Sequence, residues 1–126
     1  MTTRRLLLSA ALLVSAAWAQ ALELAPYSDA ALAASQKAGK PVALHFHADW
    51  CSTCRAQQRA LDALRREPGL DVTVLVADFD KEKALKQQLG VRSQSTLIVF
   101  RGTDEKARLA GETSAERLRA ALKTAL

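Results

Sequence analysis

Strand-length apolar runs that alternate with amphipathic helical stretches set the limits on what this chain can fold into. Val42-Ala43-Leu44-His45-Phe46-His47 follows Pro41 and puts Val42, Leu44 and Phe46 on one face, with Ala43, His45 and His47 on the other. Val72 to Phe79 is apolar almost throughout, the pattern of a strand covered on both sides. Thr96 to Phe100 is a third strand, Gly102 marks a turn, and Lys106 to Ala110 reads as a weaker, edge-like fourth. Between them, Ser28 caps a helix that runs to Ala38 and closes at Gly39. Cys51 to Glu67 reads as a second helix with Ala60, Leu61 and Leu64 inward, broken by Pro68-Gly69. Asp80 caps a short third helix carrying Leu85 and Leu89 and ending at Gly90. Thr113-Ser114-Ala115-Glu116 is a capping-box pattern opening a last helix on Leu118, Leu122 and Ala125. The order αβαβαββα predicts one α/β domain with a central mixed four-stranded sheet. Its first two strands run parallel, its last two form a hairpin, and helices cover both faces.

The amino terminus stands outside that pattern. Arg4 and Arg5 precede a twelve-residue stretch of Leu, Ala, Val and Ser from Leu6 to Ala17. Ala17-Trp18-Ala19 then supplies small residues before Gln20, with Ala19-Gln20-Ala21 as a second site two residues on. This reads as a secretory signal peptide, residues 1–19, cleaved after Ala19 or Ala21, ahead of a domain at 20–126. The alternative is an uncleaved anchor, but the apolar run falls short of the roughly 20 residues a bilayer requires. The mature chain is expected in the periplasm or outside the cell, off the membrane. The formal charge of +5 loses two arginines with the signal. With 5% aromatics and no basic run beyond two residues, nothing resembles a nucleic-acid footprint. Nor can two cysteines staple a disulfide-rich scaffold, so the core must come from packing.

The chemistry lies where the first strand meets the second helix. Phe46-His47-Ala48-Asp49-Trp50-Cys51-Ser52-Thr53-Cys54 places two cysteines three residues apart at a helix start, on one face of its first turn. Unpaired backbone N–H groups and the positive end of the helix dipole favour thiolate at Cys51, which makes it the nucleophile. Cys54, a turn deeper, is the resolving thiol. Zinc sites use the same spacing, but no second cysteine pair completes a tetrathiolate set. An inert disulfide over so short a loop would constrain little of the unfolded chain. Redox chemistry is the favoured reading, with metal ligation and an inert bridge as its alternatives.

With those residues in place, the sequence resembles the thioredoxin-like superfamily from about Ala43 to the carboxyl terminus. Phe-x-Ala-Asp-Trp-Cys-x-x-Cys after a buried strand carries the resemblance, and Val91 to Gly102 resembles the family's second signature. The resemblance implies a thioredoxin-like fold, Cys51 and Cys54 as the redox couple, and Trp50 shielding them. It also implies that Gln94, Ser95 and Thr96 bind an extended substrate segment.

The sequence departs from the family in four places. Ser95 stands where the family has a cis-proline, and a cis bond to a non-proline residue costs about 3–4 kcal/mol. A trans Gln94–Ser95 peptide is therefore expected. Ser95 then either offers its backbone to substrate with an added N–H donor, or opens the cysteine pair to metal. His45 occupies the position of the family's buried acid, where it either helps deprotonate Cys54 or is a core histidine without chemistry. His47 replaces an aromatic, so His-x-His and Cys-x-x-Cys together present four possible ligands. Arg59 stands where the helix often has a proline, so an unkinked helix is expected. Asp49 reads as a surface acid that modulates the local field. Arg55 is a solvated helix residue or a weak thiolate stabiliser.

These readings converge on an exported thiol–disulfide oxidoreductase of undetermined direction, a monomer by default. It would act on protein disulfides or dithiols, with a partner protein resetting the couple and no cofactor or resident metal. The alternative is an exported metal-binding or metallochaperone module built on Cys51, Cys54, His45 and His47.

Overall fold

In the computed structural model, which describes residues 21–126, the chain runs β1 (Glu23–Pro26), α1 (Asp29–Lys37), β2 (Pro41–His47), α2 (Ser52–Leu64) and β3 (Thr73–Asp78). It continues α3 (Lys83–Leu89), β4 (Thr96–Arg101), β5 (Asp104–Ala110) and α4 (Ala115–Lys123). The signal segment at 1–19 lies outside the described residues. Among those described, no helix is long and apolar enough to cross a membrane.

The sheet is mixed, as expected, but has five strands in the order β1-β3-β2-β4-β5. The first three are mutually parallel, and β4 and β5 run antiparallel as a hairpin. The strand missing from the sequence reading is β1, four residues ending in proline. Proline cannot donate to a ladder and is confined to edges, so the segment carries a weak strand signal. Its pairing comes from β3, with Glu23 opposite Thr73 and Pro26 opposite Val76.

Side-chain alternation along β2 splits the interior into two layers. Val42, Leu44 and Phe46 join Leu75, Ala77, Ile98 and Phe100 beneath α1 and α3. Ala43 instead faces Val74, Leu97 and Val99, covered by Leu61 and Leu64 of α2 and by Leu118 and Leu122 of α4. Each fully buried leucine contributes about 2 kcal/mol of apolar burial.

Two helix starts differ from the sequence reading. Asp80 does not cap α3: the N-cap is Glu82, with no side-chain bond. The turn before it is organised by Asp78, whose Oδ1 accepts from Asp80 N and Lys81 N. An acid two residues earlier offered the same local chemistry, and the strand end placed it better. At α4 the cap is Ser114, whose Oγ accepts from Arg117 N, while Glu112 Oε1 accepts from Ser114 N. The capping residue is thus one position later than Thr113, and the reciprocal acid precedes the helix rather than being Glu116. By contrast, α1 starts as expected, with Ala31 N donating to Ser28 Oγ, and Gly39 follows it at φ 67°.

Candidate active site

The α2 helix begins on Cys51 itself. Cys51 is the N-cap in extended backbone (φ −96°, ψ 114°), and its Sγ accepts from Cys54 N at 3.1 Å. Both cysteines are free thiols. Cys51 is 6% exposed and Cys54 fully covered, packed with Ala48 and the edge of Phe79. Burial pushes the Cys51 thiol up, but the Cys54 thiol, the Ser95 hydroxyl and the backbone N–H groups of Cys54 and Thr53 outweigh it. The net displacement is downward. For Cys54, burial dominates and the neighbouring Cys51 adds to it, so the thiol is held above its ordinary value despite Ser95 and Ala48 N–H. Two chemically identical side chains one helical turn apart are thus driven in opposite directions.

Ser95 stands directly against the pair. Its Oγ lies 2.9 Å from Cys54 Sγ and 3.4 Å from Cys51 Sγ. The Gln94–Ser95 peptide is trans, and Ser95 is the one non-glycine residue at positive φ (64°) among the described residues. That conformation costs of order 1–3 kcal/mol in a side-chain-bearing residue. Three hydrogen bonds hold it: Ser95 N donates to Phe46 O, and Ser95 O accepts from Gln57 Nε2 and from Gly111 N. The backbone groups expected to meet substrate are both bonded inside the protein, and it is the hydroxyl that faces the thiols. Thr96 is also turned inward, 4% exposed with its hydroxyl on Ser93 O. Of the three expected docking residues, Gln94 alone is partly exposed.

His45 and His47 share a face as expected, their rings 5.4 Å apart and edge-on. Neither reaches the sulfurs. His45 is fully buried, and both of its ring nitrogens lack a hydrogen-bond partner. Burial lowers its pKa from 6.5 to about 4, with His47 adding to the fall and the Gln57 and Gln58 amides opposing it. Those amides lie near the ring without the geometry of a formed bond, since both amide oxygens are also unpartnered. The imidazole is thus held largely neutral and is hydrogen-bonded to neither sulfur. His47 Nε2 pairs instead with Asp49 Oδ1 at 2.9 Å, out at the surface. Arg55 donates to Asp49 O rather than to a sulfur. Trp50 sits beside the pair but is 62% exposed, tied by Nε1 to Asp80 Oδ2 at 2.7 Å.

The same arrangement recurs elsewhere. A family model described as Thioredoxin matches residues 27–124. The chain belongs to the thioredoxin family. It is 34% identical over 83 residues to a thioredoxin of Alicyclobacillus acidocaldarius, covering 66% of this chain and 79% of that one. A Ralstonia nicotianae thiol:disulfide interchange protein, DsbD, is 33% identical over 106 residues, but this chain matches only 17% of its length. Among solved structures, Trxlp from Edwardsiella tarda superposes with a TM-score of 0.74 at 40% identity, covering 79% of this chain and 98% of that one. With its paired cysteines in place, this thioredoxin-family chain is a thiol–disulfide oxidoreductase.

Of the departures from the family pattern, Ser95 is the one that meets the sulfurs, and it meets both. The four-ligand set of Cys51, Cys54, His45 and His47 is not assembled: among the described residues no three His, Cys, Asp or Glu side chains converge to hold a metal. Two contributors escaped the sequence reading. Gln57, fully buried on α2, donates to Ser95 O and to Glu112 O and so fixes the loop over the thiols. Its signal was present, because Cys54, Gln57, Leu61 and Leu64 form one stripe at helical spacing and a polar residue on a buried stripe marks a specific partner. Asp80, taken for a helix cap, is the anchor of Trp50.

Proposed function

We propose that this protein is an exported thiol–disulfide oxidoreductase that exchanges disulfides with protein substrates. One observation carries the reading: Cys51 is lowered at a helix start while Cys54, bonded through its N–H to the same sulfur, is raised. Cys51 thiolate attacks a substrate disulfide, forming a mixed disulfide and expelling one substrate thiolate. Cys54 then attacks Cys51 Sγ, forming the Cys51–Cys54 disulfide and releasing the second substrate sulfur. Two electrons pass to the substrate, and a partner dithiol protein returns them. In the opposite direction the same steps oxidise a substrate dithiol. Export rests on residues 1–19, and cleavage after Ala19 or Ala21 leaves buried Leu22 and β1 intact. Gln94 is the docking position that remains available beside the thiols, with exposed Trp50 as the adjoining surface.

Insulin reduction with dithiothreitol as electron donor tests the activity. Turnover that Cys51→Ser abolishes supports the reading. Metal-free protein that shows no turnover overturns it. The reduction potential of the couple then assigns direction: near about −120 mV marks an oxidant and near about −270 mV a reductant.

A further inference from the structure

The second chemical step demands a proton path that the usual candidates in this molecule do not supply. Cys54 is fully buried and resists ionisation, yet it must lose its proton to attack Cys51 Sγ. Among the described residues no carboxylate is hydrogen-bonded to it, and the buried His45 imidazole bonds to neither sulfur. Among the described residues, one side chain other than the cysteines themselves is hydrogen-bonded to the sulfurs, and it touches both: Ser95 Oγ, at 2.9 Å from Cys54 Sγ and 3.4 Å from Cys51 Sγ.

We propose that the Ser95 hydroxyl is the proton relay of the resolving step. A hydroxyl both accepts and donates, which a proline at this position could not do. In the dithiol form it accepts S–H from Cys54 and donates O–H toward Cys51 thiolate. In the mixed disulfide, Cys51 Sγ carries no charge, and the departing sulfur is joined to it by one bond of about 2.05 Å. The hydroxyl then lies between the proton to be lost and the atom that gains charge. As Cys54 Sγ bonds to Cys51 Sγ, the Cys51–substrate S–S bond breaks and its electron pair goes to the departing sulfur. The Cys54 proton passes to Ser95 Oγ while the Ser95 proton passes to the departing thiolate. Atoms and charge balance, and serine ends as it began. The backbone of Ser95 is held in its uncommon conformation by Phe46 O, Gln57 and Gly111 N, which fixes the Cβ that carries the hydroxyl beside the thiols.

This inference rests on the exchange chemistry above, but its test needs no protein substrate. Cys51 is loaded as a mixed disulfide with either glutathione or thionitrobenzoate, and release by Cys54 is timed. Glutathione leaves as a basic thiolate that takes the relayed proton, whereas thionitrobenzoate leaves as a stable, weakly basic thiolate that does not need it. Ser95→Gly removes the hydroxyl and tolerates positive φ without strain; Ser95→Ala keeps the Cβ and serves if the glycine variant does not fold. The expected result is glutathione release slowed by about a hundredfold, with thionitrobenzoate release slowed much less, so that the ratio of the two rates collapses. An unchanged ratio, whether both rates fall together or neither falls, overturns the relay. Failure of insulin turnover in wild-type protein would sink the proposed substrate class and leave this ratio fully readable.

Discussion

The two sides of β2 meet the same helices-over-sheet architecture with opposite chemistry. On one side Val42, Leu44 and Phe46 are themselves fully covered and pack into a hydrophobic layer. On the other, Ala43 begins an equally dry layer, but His45 then brings two unpartnered nitrogens near the Gln57 and Gln58 amides, and His47 Nδ1 is unpartnered as well. The first side gains free energy at each residue. The second surrenders some, since a buried polar atom without a partner costs about 1–3 kcal/mol. That cost is confined to the end of the strand from which Phe46 O reaches Ser95 N and Cys54 Sγ. Stability and reactivity are thus separated on a single strand, one residue apart.

The contrast can be broken most severely from the apolar side. Phe46→Ala is expected to destabilise the fold by about 3–5 kcal/mol, read as a lowered urea midpoint, whereas His45→Leu should cost far less at neutral pH. A smaller loss for Phe46 than for His45 would refute the division.

Acid sharpens the comparison next. Unfolded, the His45 imidazole binds its proton near 6.5; folded, only near about 4. Between those values the unfolded chain holds the extra proton, so stability is full above 6.5 and drains as the pH falls toward 4, by about 3 kcal/mol. His45→Leu should flatten this slope in urea titrations at a series of pH values. A slope that survives the substitution would assign it to another group. The smallest effect is expected at the rim: Asp80→Asn weakens the hold on Trp50 and should change stability by about 0.5 kcal/mol or less, while shifting tryptophan fluorescence. If that emission stays fixed, Asp80 does not anchor the indole.

Much of this contrast is legible in the residue order. Alternation along 42–47 assigns both faces, and the spacing of Cys51 and Cys54 at a helix start names the reacting atoms. The short edge strand β1 is not legible, because four residues ending in proline acquire strand geometry only by pairing with β3. The placement of Ser95 is not legible for a related reason. Its identity shows that proline is absent, but whether its backbone or its hydroxyl meets the thiols depends on Phe46, Gln57 and Gly111, drawn from three distant segments.

Local rules of periodicity, capping and spacing act within a few residues, so the amino-acid order alone settled the helices, the principal strands and the identity of the thiol pair. Hydrogen bonds across 38 to 55 positions of sequence, such as those from Gln57 to Ser95 and to Glu112, exist only once the layers have packed. Tertiary structure therefore decided which polar groups face the sulfurs. It left histidine unbonded behind them and set a serine hydroxyl between them.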